Sequence, residues 1–514
     1  KKFTFTEELT DVIENCKGVS VPTSKAELYD MVFGPEHADV YDVVFDVPGK
    51  GLFKEADVVR CKNGASVNFT EDYMRRREPD CMRIADDKPT DKKRFADVYG
   101  YKFDKLRRET MDWFTDVLAE SGIDFRHEID EKHEGDNYEV LDVGHSTQYG
   151  EEYSEQLTMD AVLKHAEADG LEVQYEITMV KLEKDGDRVT GLIAKNANDE
   201  YVRYNASKGV ILACGGYSGN DVMMNALQPQ SVEQTCVNYS KPGAKGDGIK
   251  ACLWAGAIMD TTHTSMIFDR GAIKPDQTGE YGKASDGALF WMGSQPFLKV
   301  NSRGERFFNE SGTYEGILHA DEFNKDHCHY TIFDSDWTTY IQKFKTHGCS
   351  RMFPFPNNAD PNIPYQAVEN GMLPGLVENG FVFKCDTIAE LAEKLGLPAD
   401  QLEATVERYN ELYDKGVDED FGKEAHRMSA IRTAPFYGAK NTGYILCTMD
   451  GIQIDQNMNA VDTNNDPIPG LYVVGNDSGG YFSGTHPNLS TGAACGRTVT
   501  FGRRAGRIAA TEGI

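Results

Sequence analysis

No Cys-x-x-Cys pair occurs in this chain. That absence removes zinc ribbons, cysteine-run iron–sulfur clusters and covalent haem, which need such ligand spacing. The eleven cysteines are odd in number and scattered from Cys16 to Cys495, as reduced thiols of a cytosolic protein would be. His327-Cys328-His329 carries ligand-type residues, but adjacent residues rarely converge on one ion, so no metal site is expected. A run of about 18 apolar residues is also missing, so no membrane span is expected. The start, Lys1 to Phe5, is followed by Glu7, Glu8 and Asp11, which is not a signal-peptide core. A cytoplasmic location is the expectation, with an export leader removed ahead of Lys1 left open. Basic residues are scarce: 54 Lys and Arg against 83 Asp and Glu give a formal charge of −29. Nucleic acid and anionic lipid both demand a basic surface, so neither is an expected partner. The acidic residues are spread along the chain and read as solvated surface.

What is present is length. The chain has 514 residues, enough for two to four domains at about 100–200 residues each. Residues 1–108 form an atypical N-terminal segment. Tyr41 to Val47 is strand-like and Pro48-Gly49-Lys50-Gly51 is a turn. Ala56–Cys61 and Ala65–Phe69 flank Asn63-Gly64, a strong hairpin signal. These read as a small β-meander. The competing reading is a dinucleotide-binding βαβ unit with Gly49, Gly51 and Glu71, but its fingerprint needs three glycines opening a helix. Asp46, Pro48 and Gly51 occupy those offsets, and no helix pattern follows.

The texture changes at Glu109. Thr110 to Leu118 is an amphipathic helix stopped at Ser121-Gly122, and Gln156–Ala168 is another, stopped at Gly170. Leu171, Val173, Tyr175 and Ile177 alternate with polar residues as a half-exposed strand. Met179–Leu182 and Arg188–Ala194 flank Asp185-Gly186 as a hairpin. Gly209 to Cys214 is a continuous apolar run, expected as a strand buried on both faces, and it ends in Gly215-Gly216. Glycines at the carboxyl end of such a strand let backbone or ligand approach closely. Gly246-Asp247-Gly248 opens a helix. Val300 leads into Asn301-Ser302-Arg303-Gly304-Glu305-Arg306, a hairpin-like turn. Thr387 to Glu390 is a capping box. Near the end, Pro469-Gly470 reads as a turn, Leu471–Val474 as a buried strand and Gly475–Gly480 as a polar glycine loop. Gly484 to Asn488 precedes small residues, Leu489–Ala494, that open a final helix whose free N–H groups suit an electron-rich ligand atom.

These pieces, in this order, resemble the FAD-dependent fumarate reductase, succinate dehydrogenase and 3-ketosteroid dehydrogenase superfamily over about residues 109–514. The carriers are Lys208–Asn220, Gly246–Lys250, Val300–Phe307 and Gly470–Asp477. The resemblance implies an α/β fold with a discontinuous Rossmann-like FAD-binding domain (109–250 and 437–514) and an inserted α+β capping domain (251–436). Residues 1–108 resemble an uncharacterised bacterial family instead, and lack the first βαβ unit that the superfamily supplies there. By position, Ala213, Gly215 and Gly216 are expected near the FAD phosphates and ribityl chain. Asn476 stands where many relatives place a cofactor-contacting Glu. Ser490 and Thr491 are expected to face the pyrimidine edge of the flavin, where a helix N-terminus favours negative charge.

The departures narrow the chemistry. The Arg expected shortly before the Val300-Asn301 strand is missing, the C-terminal Asn-Arg pair is replaced by Thr485-His486-Pro487, and the usual His before Thr-Met-Gly-Gly is Cys447. Dicarboxylates are held by bidentate guanidinium pairing, so they are disfavoured. Thr485-His486-Pro487 is similar to the Thr-Tyr-Pro of ketosteroid dehydrogenases, whose Tyr binds a substrate carbonyl. His486, or a tyrosine such as Tyr481 or Tyr444, is therefore the candidate catalytic group that supports the carbonyl or gives a proton in reducing an activated, enone-like C=C bond. An external electron donor or acceptor is implied. The reverse reaction, a ketosteroid-type dehydrogenation, and a flavin-less small-molecule binder stay open.

Overall fold

The computed structural model describes residues 58–60, 67–69, 101–129, 142–149, 152–153, 155–238, 243–278, 287–324, 327–344, 346, 350–354, 361, 363–482, 484, 486 and 492–512. Ser490, Thr491 and the strand read at 41–47 lie outside the described residues. The two strands expected to flank Asn63-Gly64 pair: β1 (Val58–Arg60) runs antiparallel to β2 (Val67–Phe69), with Val58 opposite Phe69, and Asn63-Gly64 itself lies outside the described residues. The rest of the expected meander lies outside the described residues. Helix α1 (Tyr101–Ala119) starts at Tyr101 rather than at the change of texture. A three-stranded antiparallel sheet follows: β3 (Asp124–Ile129), β4 (Asp142–Tyr149) and β5 (Glu152–Tyr153). Helix α2 (Glu155–Ala168) then closes a small core in which Ala161 meets Phe114, Leu118, Ile123 and Phe125.

Two readings fail in the next segment. Leu171, Val173 and Tyr175 form no strand and are 52%, 38% and 74% exposed. Alternation supplies an apolar face, but among the described residues no strand pairs with it, and a strand is stabilised by such cross-strand pairing. The hairpin instead begins with β6 (Thr178–Asp185), which pairs with β7 (Arg188–Lys195), and β8 (Tyr201–Asn205) completes that sheet. The apolar run at 209–214 yields β9 (Val210–Leu212), which is not buried on both faces: Val210 and Leu212 are buried while Ile211 is 39% exposed. Val210 and Leu212 share the core-facing side of the pleat, and Ile211 points to the opposite, only partly covered face.

Beyond the helix α3 (Asp247–Trp254) comes a seven-stranded mixed sheet. It comprises β10 (Thr235–Asn238), β11 (Ser265–Ile273), β12 (Ala288–Leu289), β13 (Leu298–Val300), β14 (His329–Phe333), β15 (Val382–Cys385) and β16 (Phe436–Thr448). β16 is its spine. Its first residues pair with β14 and β15, and its later ones with β10 and β11. Helix α4 (Tyr314–Asp321) packs on β11. Helices α5 (Ile388–Leu395) and α6 (Ala399–Lys415) cover β13 to β15 through Leu391, Leu395, Leu402 and Tyr409. The capping box is half made: Thr387 Oγ1 accepts the Glu390 N–H at 3.1 Å, and Glu390 reaches the Asp386 N–H instead of that of Thr387. The charged turn after β13 is structural, since Arg306 is buried against Glu310 and Asp418, both at 2.8 Å.

The chain then returns to β9. β17 (Asn459–Val461) is antiparallel to β18 (Pro467–Val473), and β18 is parallel to β9, with Leu471 opposite Val210. Pro469-Gly470, expected as a turn, lies inside β18. Helix α7 (Ala493–Glu512) packs Phe501 and Ala505 into the core around β9, β18 and α3. Among the described residues no helix is long and apolar enough to cross a membrane. No group of three or more His, Cys, Asp or Glu there is placed to hold a metal.

Candidate active site

β9 feeds directly into the Gly215-Gly216 turn. Both glycines have positive φ (92° and 82°), a region that costs L-residues strain. A Cβ on Gly216 would stand 2.2 Å from Thr448 Oγ1, whereas one on Gly215 would meet nothing within 4 Å. The turn is therefore pinned beneath and bare above. Asp477 does the pinning: Oδ1 accepts the Gly216 N–H at 2.9 Å and Oδ2 accepts the Cys214 N–H. Thr448 Oγ1 adds the Tyr217 N–H at 3.2 Å. Burial pushes the Asp477 carboxyl up to about 6, opposed by the N–H groups it accepts. Asn476 lies against Gly216 and interacts with the Cys447 thiol. Burial raises the Cys447 thiol to about 12, and desolvation together with the Asp477 carboxylate raises the thiol of the surface-exposed Cys214 likewise, so both stay protonated at neutral pH.

The following loop is held from two sides. Arg497 of α7, almost wholly buried, donates from Nη2 to the Gly475 carbonyl at 2.5 Å and from Nη1 to Ser478 O at 3.4 Å. Its guanidinium lies over Tyr481 and Phe482, 5.5 and 5.3 Å from the ring centres. Asp260 Oδ2 accepts the Gly480 N–H at 2.8 Å. Burial lifts Asp260 to about 7. Beneath the turn, Tyr217 OH and His263 Nδ1 both meet the buried Asp450 carboxylate, at 2.8 and 2.7 Å.

A cluster of aromatic and sulfur side chains lies beside this loop. Tyr444 stacks on Phe268 at 5.5 Å, and Tyr314 lies 4.7 Å from Phe268 on its own side. Met266, Met449 and Phe482 complete the cluster, with Tyr481 packed against it. Tyr481 meets Phe482 edge-to-face at 4.8 Å, and Phe482 lies 5.5 Å from the His486 ring. The His486 backbone N–H is accepted by both carboxylate oxygens of Glu315, at 2.7 and 2.9 Å.

The expected residues thus fall into two neighbouring groups. Ala213, Gly215, Gly216 and Asn476 share the turn; Tyr444, Tyr481 and His486 share the aromatic cluster. Cys447-Thr448 and the Gly475–Phe482 loop join them. Sequence reasoning missed Asp477, Thr448 and Glu315. Asp477 had a signal, an acid inside a glycine loop beside a glycine turn. Glu315 had none, because an acid in the first turn of a helix ordinarily faces solvent near the helix dipole, yet Glu315 is only 2% exposed. A cavity of about 550 Å³ lined by Asp386, Glu403, Glu407, Asp414 and Arg432 shares none of these side chains.

Bare glycine backbone at the carboxyl end of a parallel strand is where open α/β sheets take ligands. An adjoining, largely dry aromatic cluster with one imidazole and several phenols suits proton transfer or carbonyl polarisation. A family described as "FAD binding domain" matches residues 102–492, and one described as "Domain of unknown function (DUF4914)" matches residues 5–120. The chain is 29% identical over 353 residues to a vinyl phenol reductase of Lactiplantibacillus plantarum, covering 68% of this chain and 70% of that protein. It is 30% identical over 335 residues to a 3-oxosteroid 1-dehydrogenase of Mycobacterium tuberculosis, covering 60% of this chain and about half (53%) of that protein. Its fold is similar to the open conformation of a flavocytochrome c3 fumarate reductase, with a TM-score of 0.54 at 22% identity, covering 80% of this chain and 63% of that one.

Proposed function

Because residues 102–492 place this chain in the FAD binding domain family, we propose that it is an FAD-dependent oxidoreductase that reduces an activated, enone-like C=C bond. The carrying observation is that one loop, Gly475–Phe482, joins the glycine turn to the aromatic cluster that contains His486. The turn fits the cofactor: its upper face lacks any side chain at Gly215, and Asp477 holds its N–H groups from below. In this reading 109–250 and 437–514 form the cofactor domain and 251–436 the cap. Ala213, Gly215, Gly216 and Asn476 would hold FAD, with Ser490 and Thr491 expected at the flavin's pyrimidine edge.

When bound and reduced, FAD would supply the hydride equivalent that the alkene takes up. His486, its backbone fixed by Glu315, polarises the carbonyl conjugated to that alkene and so stabilises the charge that develops as hydride adds. Tyr481 or Tyr444 gives the proton to the neighbouring carbon. The aromatic wall excludes water, which strengthens each of these polar contacts. An external donor recharges the cofactor.

The purified protein should show the absorption bands of an oxidised flavin. With reduced viologen under anaerobic conditions it should reduce enones and aryl alkenes faster than fumarate. Fumarate as best substrate would overturn the substrate class, and a protein that stays colourless after FAD is added would overturn the activity. The similarity to a 3-oxosteroid 1-dehydrogenase favours a second reading, the same hydride path run in reverse. A saturated ketone oxidised with a dye acceptor faster than its enone is reduced would select it.

A further inference from the structure

We infer that Asp260 is a positioning residue for the reaction proposed above: its carboxyl group latches the loop that carries Tyr481 and Phe482 against the cofactor turn. The catalytic consequence rests on that reading; the latch itself is a property of the fold.

The fit between carboxyl and loop is close. Asp260 Oδ2 accepts the Gly480 N–H at 2.8 Å. A Cβ on Gly479 would stand 2.0 Å from the same oxygen and 2.4 Å from the carboxyl carbon, so a side chain there would push the carboxyl off the loop. Gly479 donates its own N–H to Ile452 O at 2.8 Å, and the Asp260 N–H is accepted by Gly451 O at 2.9 Å. Two consecutive loop residues thus meet one carboxyl group, immediately ahead of the Tyr481 and Phe482 rings. Arg497 holds the Gly475 and Ser478 carbonyls from the opposite side.

The other end of the latch is the cofactor turn. Tyr217, the residue after Gly216, gives its hydroxyl to Asp450 at 2.8 Å, and His263 Nδ1 meets the same carboxylate at 2.7 Å. Gln228 Nε2 donates to Tyr217 OH at 2.7 Å and to Asp450 Oδ1 at 3.0 Å. Asp260 lies three residues before His263, and its N–H is bound to the neighbour of Asp450. Asp260, Asp450, Tyr217 and Gln228 are all buried. One buried polar network therefore ties Gly216-Tyr217 to Gly480-Tyr481.

The latch is linked to a proton. Burial pushes the Asp260 carboxyl up to about 7; the Asp450 carboxylate adds to this, while the Gly480 and Gly451 N–H groups and His263 oppose it. The Tyr217 phenol, which also faces Asp260, is itself held well above its ordinary range by burial. Asp260 Oδ1 is enclosed and makes no hydrogen bond to a described residue, which leaves it free to carry the proton. Opening the loop hydrates the carboxyl and returns it to its ordinary range near about 4. The closed loop thus binds the proton more tightly than the open one. Closure is favoured most below about pH 4 and weakens as the pH rises through about 7.

Hydrogen exchange at the amides of residues 479–482, in the full chain loaded with FAD, reads the latch without turnover. Corrected for the intrinsic rate, protection in wild type should fall at least about tenfold between about pH 5.5 and 8. Asp260→Asn keeps an acceptor for Gly480 but does not titrate, so its protection should not vary with pH. Gly479→Ala, whose methyl group takes the place of the carboxyl, should lose protection throughout. Turnover per bound flavin should fall by about tenfold to a hundredfold in Asp260→Ala, the scale on which misplacing a reacting group costs rate, and should recover in Asp260→Asn. Flavin content should hold, because Asp477 fixes the cofactor turn independently. Wild-type protection that does not vary with pH, or that varies equally in Asp260→Asn, would overturn the proposal, and so would wild-type protection in Gly479→Ala. Activity in Asp260→Ala that falls only in step with lost flavin would overturn the positioning role. If exchange responds as expected but no alkene is reduced, the redox reading fails while the latch stands.

Discussion

Replacing His486 with alanine is expected to lower turnover per bound flavin by about 10²–10⁴-fold, the usual contribution of a positioned acid or polarising group. That corresponds to roughly 3–5 kcal/mol of barrier. Flavin content should not change, because the His486 segment is anchored through its backbone N–H to Glu315 rather than through the cofactor turn. The comparison that separates chemistry from packing is Glu315→Gln. An amide oxygen can still accept the His486 N–H, so this variant should lose far less activity than His486→Ala. Rate per bound flavin, with flavin measured by absorbance after release, reads both. A His486→Ala protein that turns over like wild type would remove the imidazole from the mechanism and leave Tyr444 and Tyr481 as the acting groups.

The second large effect is on stability and cofactor retention together. Asp477→Ala should destabilise the protein by about 2–4 kcal/mol, since two N–H groups of one tight turn lose their acceptor at once. Bound flavin should fall in parallel. Asp477→Asn keeps one acceptor oxygen and should show about half the loss. The pH dependence has a definite sign. Burial raises this carboxyl from its ordinary range to about 6, so the folded state holds a proton that the unfolded chain releases near 4. The stabilising contribution of the protonated group is complete below about pH 4 and is lost as the pH rises through 6. Denaturant titrations of wild type and Asp477→Asn across pH 4–7 should therefore differ in slope. Parallel curves would show that Asp477 does not titrate in that interval.

Much of this was legible in the chain because the signals were local. The pairing of β1 with β2, the helices starting at Glu155 and Asp247 and the Thr387 cap each follow from short stretches of neighbouring residues. The glycine turn at 215–216 was legible for the same reason. What failed depended on distant neighbours. The run at 209–214 has the apolar content of a doubly buried strand, yet burial of Ile211 requires a layer packed on its face of the sheet, and apolar content alone cannot supply one. Leu171–Ile177 has the right alternation and no partner. Glu315 reaches His486 from 171 residues away along the chain, and no spacing rule spans that distance.

The continuity of β16 sets how the molecule can breathe. From Phe436 to Thr448 it is a single strand, bonded at one end to the strands beneath α5 and α6 and at the other to the Tyr217 N–H through Thr448. Such a strand acts as a stiff lever rather than a hinge. A ligand entering beside Tyr444 cannot be admitted by swivelling the two ends apart, because that would break the ladders on both of its edges. Admission has to be taken up by the loops beside the strand, of which residues 475–482 border the aromatic cluster through Tyr481 and Phe482. Backbone amides of residues 437–445 should then exchange with solvent orders of magnitude more slowly than those of the loop, and ligand binding should slow exchange in the loop while leaving the strand as it was.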